Sequence, residues 1–333
     1  MKRQLLQLLS TAAVSSLALS ACGSGSPSGT QDSAEAGGAG GESGGELTEV
    51  TVGLVPLAAS IAVEYGIEEG IFEKHGLDVE IALANAGAAM LPAVSNGQMD
   101  VGVGNPLSVL TAADQGLDMR IVAGYCNSAD DGEDTSGVVT RKDSGIEDYG
   151  DLAGKTTSIN ALRTLGDLTL MDLAEQGGAD PAAVKFAEMP FQDMPAQLDQ
   201  GNTDAIWIPE PFLTTALDNP DNELLGYSFR DSIEGMPTMV TFTSGTFAEE
   251  NPETVEKFQA AITEALAATE ENTDDAKKLL PEFLSLPEEV ATSLKLDDLG
   301  GEIREEQLQA MGELAVKYDF IDREPDLEAM IVD

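Results

Sequence analysis

The chain has 333 residues, 42% of them hydrophobic and 5% aromatic, and a formal net charge of −43. Binding to phosphate backbones needs clustered lysine and arginine, and with 17 basic against 60 acidic residues the sequence excludes nucleic acid as a partner. The acidic residues are spread along the chain, which is typical of a solvated surface. The hydrophobic content is enough for one large domain or two lobes of ordinary size.

The first 21 residues have the layout of a secretory signal peptide. Lys2 and Arg3 precede an apolar stretch that ends at Leu19, and this stretch is shorter than the roughly 20 residues that a spanning helix needs. The sequence Leu19-Ser20-Ala21-Cys22 resembles the bacterial lipobox, which implies cleavage before Cys22 and lipid on that residue. The alternative is an ordinary signal peptide with an incidental cysteine.

Residues 22–46 are nearly all glycine, serine, alanine and other small or polar types. Such a segment cannot bury enough apolar surface to offset its ordering entropy, so we expect a disordered tether. Several lipid chains hold a protein firmly to a membrane. We therefore expect the protein to work outside the cytoplasmic membrane, anchored by lipid alone.

The cysteine and histidine content argues against two kinds of chemistry. Once Cys22 carries lipid, Cys126 has no partner for a disulfide, and its strand-like surroundings favour a small buried thiol. A nucleophilic cysteine needs a nearby histidine, and the single histidine, His75, lies in a polar segment typical of a surface turn. No cysteine and histidine cluster suggests a metal site, so we expect neither metal nor cofactor.

From residue 48 the pattern predicts strands alternating with helices, which indicates βαβ units and parallel sheets. A first set has predicted strands at Glu49–Val55, Leu77–Leu83, Met99–Val103, Met119–Tyr125 and Val138–Thr140, with helices at Ala59–Glu69, Ala88–Ser95 and Leu107–Gln115. A second set has predicted strands at Lys155–Asn160, Val184–Met189, Ala205–Ile208, Leu224–Phe229 and Met239–Thr243, the last returning to the first lobe, with helices at Arg163–Gln176, Asp193–Gln200 and Pro211–Leu217.

The C-terminal part is predicted to be helical and to pack on the first lobe. Asn251 before Pro252 is a favourable N-cap followed by proline at the first helical position. The predicted helices are Glu253–Glu271, Asp274–Phe283, Pro287–Leu294 and Glu305–Lys317, followed by a short turn.

A short pattern occurs once in each set. Gly97 precedes Asp100 by three residues, and Gly201 precedes Asp204 in the same way, each time between a predicted helix and a hydrophobic strand. The repetition predicts two lobes built on one plan, residues 47–140 plus 236–333 and residues 141–235. The alternative is coincidence, because this pattern is a common turn.

Four segments, in order between Glu49 and Phe258, carry a more specific resemblance. They are Tyr65 to Val79, Val94 to Gly102, Asp151-Leu152-Ala153-Gly154-Lys155, and Gly201 to Pro211 with Glu210-Pro211 at its end. Each motif is weak alone. Together they resemble the family of sulfonate, nitrate and taurine solute-binding proteins.

This resemblance implies a periplasmic-binding-protein fold of type II, an α/β fold with two lobes, mostly parallel sheets, a hinge and C-terminal helices. It implies a monomeric, non-enzymatic component of an ABC importer that passes a small solute to permease and ATPase subunits. The solute would be an anion (sulfonate, nitrate or carboxylate) or a pyrimidine-like compound. A pyrimidine-synthase-like enzyme is the first alternative, although this chain lacks the cysteine-rich motif and internal histidine of such enzymes. A ligand-sensing subunit of a signalling receptor is the second, and sequence does not separate it from transport.

The ligand is expected at the carboxyl ends of the strands, where helix N-termini offer free N–H groups. Charges beyond about 8 Å are screened at physiological salt, so local donors decide and the sign of the ligand stays open. The candidate residues are Pro56, Leu57, Gly87, Ala88, Asn105, Pro106, Asn160, Arg163, Thr164, Phe191 and Glu210.

Two candidates have clear alternative roles. Arg163 follows a predicted strand and could bind a carboxylate or sulfonate through two N–H groups of its guanidinium, or it could be an exposed residue paired with Asp167 one turn later. Asn105 could donate to a ligand or cap its helix.

The remaining alternatives concern aromatic and acidic residues. Phe191 could stack on a planar ligand or belong to the core, and Glu210 could hold a cationic or hydroxyl group or face solvent. Trp207 alternates with isoleucines in a strand that looks buried, which predicts a core residue.

Overall fold

The computed structural model describes residues 46–332, so the predicted signal peptide, Cys22 and nearly all of the predicted tether lie outside these residues. The strands are β1 (Thr48–Leu54), β2 (Leu77–Leu83), β3 (Val101–Gly104), β4 (Met119–Asn127), β5 (Ser136–Arg141), β6 (Thr156–Ile159), β7 (Lys185–Glu188), β8 (Ala205–Pro209), β9 (Asn222–Gly226), β10 (Pro237–Ser244) and β11 (Asp298–Leu299).

The helices before β10 are α1 (Ile61–Glu68), α2 (Ile71–Lys74), α3 (Gly87–Ser95), α4 (Pro106–Asp114), α5 (Leu165–Gln176), α6 (Met194–Asp199), α7 (Phe212–Leu217) and α8 (Ser228–Ser232). Those after it are α9 (Gly245–Glu250), α10 (Pro252–Glu271), α11 (Thr273–Ala276), α12 (Leu280–Phe283), α13 (Glu288–Ser293), α14 (Glu305–Lys317) and α15 (Leu327–Met330). Short 3-10 turns precede α1, β6, β7 and α6.

The strands form two mixed sheets. The first sheet has six strands in the order β11-β4-β10-β3-β1-β2, in which β1 is parallel to β2 and β3 while β10 is antiparallel to β3 and β4. The second has five in the order β7-β6-β8-β5-β9, in which β6 is parallel to β7 and β8 while β5 is antiparallel to β8 and β9. The two-sheet α/β architecture is as predicted.

The sheets are less parallel than predicted, and the chain path explains the difference. The chain leaves the first sheet after β4 and enters the second at β5, and it returns from β9 through α8 to β10. In each case the first strand after the crossing runs against its neighbours. We call the segments that join β4 to β5 and β9 to β10 the crossings. The two crossings are hydrogen-bonded to each other, because the N–H of Ser128 donates to the carbonyl of Met236 at 2.8 Å.

Helices cover both faces of the first sheet. Its strands β1 and β4 pack through Val52 and Tyr125 against a core that includes Phe258 and Ile262 of α10. On the other face, residues of α3 and α4 belong to a continuous cluster that extends to α5 and β8 of the second sheet. α14 contacts both α4 and α5. The C-terminal part therefore packs on elements of both sheets, whereas we expected it to pack on the first lobe alone.

Two predictions about the C-terminal helices are wrong. The side chain of Asn251 does not cap α10; its amide donates to the carbonyl of Phe247 at 3.3 Å. The predicted helix Asp274–Phe283 is two short helices, α11 and α12, with Pro281 in the first turn of the second. Proline lacks the N–H that a continuous helix needs and clashes with the preceding turn, which separates the two segments.

No helix within residues 46–332 is long and apolar enough to cross a membrane.

Candidate functional site

A cavity of about 80 Å³ lies where the two sheets and their helices meet. Its walls come from the first sheet and its helices, from the second sheet and its helices, and from the loop before β11. The lining residues are Val55, Leu57, Ala58, Ala86, Gly87, Gly104, Asn105, Cys126, Thr135, Ser136, Asn160, Thr164, Leu165, Phe191, Trp207, Pro209, Glu210, Phe229, Thr238, Met239 and Asp297. We call this space the inner cavity. It has room for several water molecules or a small solute.

Two helices of the first-sheet side begin at this cavity. α3 starts at Gly87, and no side chain caps its first N–H groups. α4 is capped by Asn105, whose Oδ1 accepts from the N–H of Ser108 at 2.9 Å. A Cβ on Gly87 would lie 3.1 Å from the main-chain nitrogen of Asn105, so glycine lets the two helix starts approach each other closely.

A third helix, α5, begins at the cavity from the second-sheet side. Its N-cap, Thr164, is buried, and Asp167 accepts hydrogen bonds from the main-chain N–H groups of Arg163 at 2.6 Å and Thr164 at 2.7 Å. Burial raises the pKa of Asp167 to about 6, although these hydrogen bonds act in the opposite direction. Helix N-termini carry partial positive charge, so the three helix starts favour an anionic or hydrogen-bond-accepting group.

Three aromatic residues form one wall of the inner cavity. The ring of Trp207 lies 5.7 Å from that of Phe191 and 5.2 Å from that of Phe229, measured between centroids. Trp207 is 7% exposed, and its Nε1 has no hydrogen-bond partner within residues 46–332. Trp207 is therefore buried, as predicted, and it also lines the cavity.

Glu210 lines the cavity from the end of β8. It is buried, and both of its oxygens accept from Thr214, one from the N–H at 3.1 Å and one from the hydroxyl at 2.8 Å. Burial raises the pKa of Glu210, and the hydrogen bonds from Thr214 and the charge of Lys295 lower it in part. The alternative in which Glu210 faces solvent is wrong.

A second carboxyl reaches the cavity from a distant part of the chain. Asp297 is partly buried and accepts a hydrogen bond from the hydroxyl of Thr135. Burial, together with the charges of Asp134 and Glu210, raises the pKa of Asp297 to about 7. Among the described residues that line the inner cavity there is no lysine, arginine or histidine.

Several polar groups on the walls are unpaired. The amide nitrogen of Asn105, the side chain of Asn160 and the hydroxyl of Ser136 make no hydrogen bond within residues 46–332. Such groups in a cavity are available to orient a ligand. A second, larger space of about 410 Å³ shares Val55, Leu57, Asn160 and Phe191 with the inner cavity, and we call it the outer opening.

A model of a protein family described as NMT1/THI5 like matches residues 59–276, more than half of the chain. The chain belongs to the NMT1/THI5-like family. Among curated proteins, one of Bacillus subtilis named "Putative aliphatic sulfonates-binding protein" is 25% identical over 259 residues, which cover 75% of this chain and 74% of that protein.

Solved structures show the same fold. The periplasmic aliphatic sulphonate binding protein of Escherichia coli is 19% identical, with 85% of this chain and 97% of that chain covered and a TM-score of 0.71. The nitrate-binding protein of Synechocystis is 14% identical, with 85% of each chain covered and a TM-score of 0.70. A Candida albicans protein described as having the generic periplasmic binding protein fold is 14% identical, with 86% and 96% covered and a TM-score of 0.68. The predicted fold is confirmed.

Within this NMT1/THI5-like chain, the structure brings most of the sequence candidates together. The inner cavity is lined by Leu57, Gly87, Asn105, Asn160, Thr164, Phe191 and Glu210, and the outer opening by Pro56. Ala88 and Pro106 belong to α3 and α4 but line neither space, because Ala88 points to solvent and Pro106 packs inside.

Arg163 is not brought to either space. Its guanidinium donates to the main-chain oxygen of Asp319 at 3.0 Å and to that of Phe320, and its Cζ atom lies 5.2 Å from the centroid of the Phe320 ring. Asp167 pairs with the main chain of Arg163 and not with its guanidinium. Arg163 is exposed, as the second hypothesis states, but the partners of its guanidinium are C-terminal carbonyls and not Asp167.

Fourteen lining residues are not among the site candidates of the sequence analysis, and six of them lie in or near the crossings or before β11. Thr135 and Ser136 precede or begin β5, Cys126 and Thr238 lie near the crossings, and Asp297 precedes β11; Phe229 is in α8. The sequence-based prediction placed the ligand at the carboxyl ends of parallel strands. It therefore did not include residues at the crossings. Cys126 is a buried thiol, as predicted.

Proposed function

We propose that this protein is the extracytoplasmic solute-binding component of an ABC importer and that it holds a small polar solute in the inner cavity. The observation that carries the proposal is the convergence of three helix N-termini from both sheets on one cavity with unpaired polar groups. The named relatives, a sulfonates-binding protein and a nitrate-binding protein, support the solute-binding role. The inner cavity has the size of a small metabolite and not of a macromolecule.

The proposal divides the chain as the sequence suggested, into residues 47–140 plus 236–333 and residues 141–235, with the two crossings as the hinge. Support comes from the strand order, because one sheet takes its strands from both ends of the described chain and the other from the middle. Closure about the crossings would enclose the solute between the two sheets. Partners are the solute and the permease and ATPase subunits, and we propose a monomer.

A binding role is favoured over catalysis by the positions of the reactive side chains. His75 lies at the end of α2, and its Nε2 is 2.8 Å from Glu264, away from the residues that line the cavity. Burial raises the pKa of the Cys126 thiol well above its usual range. A thiol with a raised pKa is a weak nucleophile at neutral pH. We therefore propose a receptor that releases its solute unchanged.

We also propose that the protein is anchored to the membrane by lipid. Residues 1–21 would be removed as a signal peptide, Cys22 would carry lipid, and residues 22–46 would tether the folded part. The lipobox-like sequence supports this assignment, and the named E. coli relative is periplasmic.

Binding can be tested directly with purified protein. Native mass spectrometry identifies a co-purified solute, and a thermal-shift panel of sulfonates, nitrate, carboxylates, pyrimidines and amines identifies added ones. A solute at 100 times its dissociation constant should stabilise the fold by about 2.7 kcal/mol. Asn105→Ala and Asn160→Ala should weaken the shift, whereas Asn219→Ala, at a partly buried site outside the cavity, should leave it unchanged. Turnover of the solute would contradict the proposal, as would the absence of any bound compound.

A further inference from the structure

The inner cavity is lined by carboxyl groups, and no positively charged side chain among its described lining residues balances them. Glu210 and Asp297 both line the cavity, and among the described lining residues there is no cationic side chain. Asp134, 5% exposed, directly precedes the lining residue Thr135, and its Oδ2 has no hydrogen-bond partner within the described residues. Burying charge is costly unless the charge is paired. A positive group on the solute would provide that pairing.

The nearby cations of the protein are engaged elsewhere. Lys295 contributes favourable charge at Glu210, but its side chain is 56% exposed and its ammonium pairs with Glu133. Arg230 contributes favourable charge at Asp134, but its guanidinium pairs with Asp231 at 2.6 Å. Solvent screens the exposed Lys295, Asp231 neutralises Arg230, and neither cation lines the cavity.

The aromatic wall fits the same kind of occupant. Phe191, Trp207 and Phe229 line the same cavity as the carboxyls. The faces of aromatic rings attract cations, and the attraction strengthens when water is excluded. An ammonium or amidinium group at this wall would gain from the rings as well as from the carboxyls.

A second observation favours an acceptor on the solute. Trp207 lines the cavity and is 7% exposed, yet its Nε1 lacks an acceptor within residues 46–332. The indole N–H can only donate, and buried donors in folded proteins are nearly always satisfied. An acceptor on the solute would satisfy it, and the three helix starts favour the same kind of group.

We propose that the solute carries a protonated nitrogen, as an ammonium or amidinium group, which Glu210 and Asp297 receive, while its acceptor or anionic end lies at the helix starts. This inference rests on the proposed function, because it assigns the charge of the solute in the same cavity. It distinguishes the site from one for a simple sulfonate or nitrate, which would meet two carboxyls with no positive charge to offer them.

Calorimetric titration with matched compounds tests the proposal. The probes are alkanesulfonates and alkanoates of two to four carbons, each with and without a terminal amino group, and the corresponding alkylamines. We expect the aminated member of at least one pair to bind about tenfold tighter or more, the gain typical of a charge-assisted hydrogen bond. Glu210→Gln and Asp297→Asn should each reduce that preference about tenfold.

A matched control separates the local effect from overall charge. Glu223→Gln removes one negative charge from an exposed position on β9, outside the cavity, and should keep the preference for the aminated compound. Thermal unfolding establishes that each variant is folded, and Asp297→Asn, at a partly buried residue, carries the test if Glu210→Gln does not fold.

The outcomes distinguish this inference from the function on which it rests. If unaminated anions bind as tightly as their aminated partners, the assignment of charge is overturned while solute binding stands. If the variants keep the full preference, the assignment to these two carboxyls is overturned. If no probe binds and native mass spectrometry finds no retained compound, both proposals fail together.

Discussion

The guanidinium of Arg163 lies over the ring of Phe320 and donates to the main-chain oxygen of the same residue. This contact joins the start of α5, beside the second sheet, to the segment that follows α14. Nearby, the hydroxyl of Tyr318 donates to Glu175 of α5 at 2.6 Å. The C-terminal segment is therefore fastened to α5 at both the beginning and the end of that helix.

Replacing Arg163 with alanine should weaken this fastening without affecting solute affinity. Arg163 has a φ of 59°, and because alanine has the same difficulty in this left-handed region, the change isolates the side-chain contacts. We expect the free energy of unfolding to fall by about 1 kcal/mol, from lost hydrogen bonds and the cation–π contact, and Tm to fall by about 2–4 °C.

Arg323→Ala provides the control for this variant. The Arg323 side chain is 78% exposed, with one long ion pair to Asp114, so its removal should change stability little. Urea unfolding measures both variants. A tenfold loss of solute affinity in Arg163→Ala alone would contradict the structure and return Arg163 to the binding site.

Trp207 should report solute binding by fluorescence. It is the single tryptophan of the chain and lines the inner cavity, so an occupant changes the polarity around its indole ring. We expect a shift or intensity change that saturates with solute and gives the same affinity as calorimetry. Trp207→Phe should abolish the signal. An emission spectrum that stays constant at saturating solute would place the occupant elsewhere.

Asp297 should make stability depend on pH in a defined direction. An unfolded aspartate has a pKa of about 3.9, whereas burial raises the pKa of Asp297 to about 7, assisted by the charges of Asp134 and Glu210. Between these values the folded chain binds more protons at this group than the unfolded chain does. Its contribution to the free energy of unfolding therefore decreases as pH rises from about 4 to 7.

Comparison with Asp297→Asn isolates this contribution. We subtract the unfolding free energy of the variant from that of the unmodified protein. This difference should be largest near pH 4, decrease as pH rises and become constant above pH 7. Asp167, with a raised pKa of about 6, has the same direction but is present in both proteins and cancels. Urea unfolding at a series of pH values measures the difference; an increase with pH would show that the folded pKa is not raised.

Gly166→Ala should disturb the aromatic wall. A Cβ at this position of α5 would lie 2.9 Å from the Cε3 atom of Trp207, too close for the ring to remain in place. Alanine is favoured over glycine in a helix by about 1 kcal/mol, but overpacking typically costs about 1–3 kcal/mol. We expect a net loss of stability and weaker solute binding, measured by urea unfolding and calorimetry.

A double variant tests the cause of that loss. Combining Gly166→Ala with Trp207→Phe removes the larger ring, so the two substitutions should be less destabilising together than the sum of their separate effects. Additive effects would show that the Trp207 contact does not limit position 166.

Cys22→Ala should release the protein from the membrane. If Cys22 carries lipid, cells should hold the unmodified protein in the membrane fraction and incorporate labelled fatty acid into it, and the variant should lose both properties. The folded part should retain solute binding. A variant that stays in the membrane fraction would contradict lipid anchoring at Cys22.

Local patterns predicted many individual elements. The strand at Leu77–Leu83 and the helix at Glu305–Lys317 have the predicted bounds, because alternation in the first and helical periodicity in the second match a single buried face. Asn105 precedes a proline at the start of its helix, which identified both a cap and a position at the cavity.

Contacts between distant segments could not be predicted in this way. Asp297 reaches the cavity only because the chain returns to β4 through β11, and nothing in its local sequence distinguishes it from the other acidic residues. Arg163 was an attractive ligand-binding candidate on local grounds, but its partners lie more than 150 residues away. Such pairings depend on tertiary structure and carry no local signal.

The position of β1 determines which part of the molecule an N-terminal anchor would hold. β1 lies inside the first sheet, between β2 and β3, and the chain enters it directly at Thr48. A force applied to the N-terminal segment would therefore act directly on the first sheet. The second sheet, inserted between β4 and β10, would receive this force only through the two crossings. A membrane-held receptor of this design would keep one half stationary and leave the other free to swing.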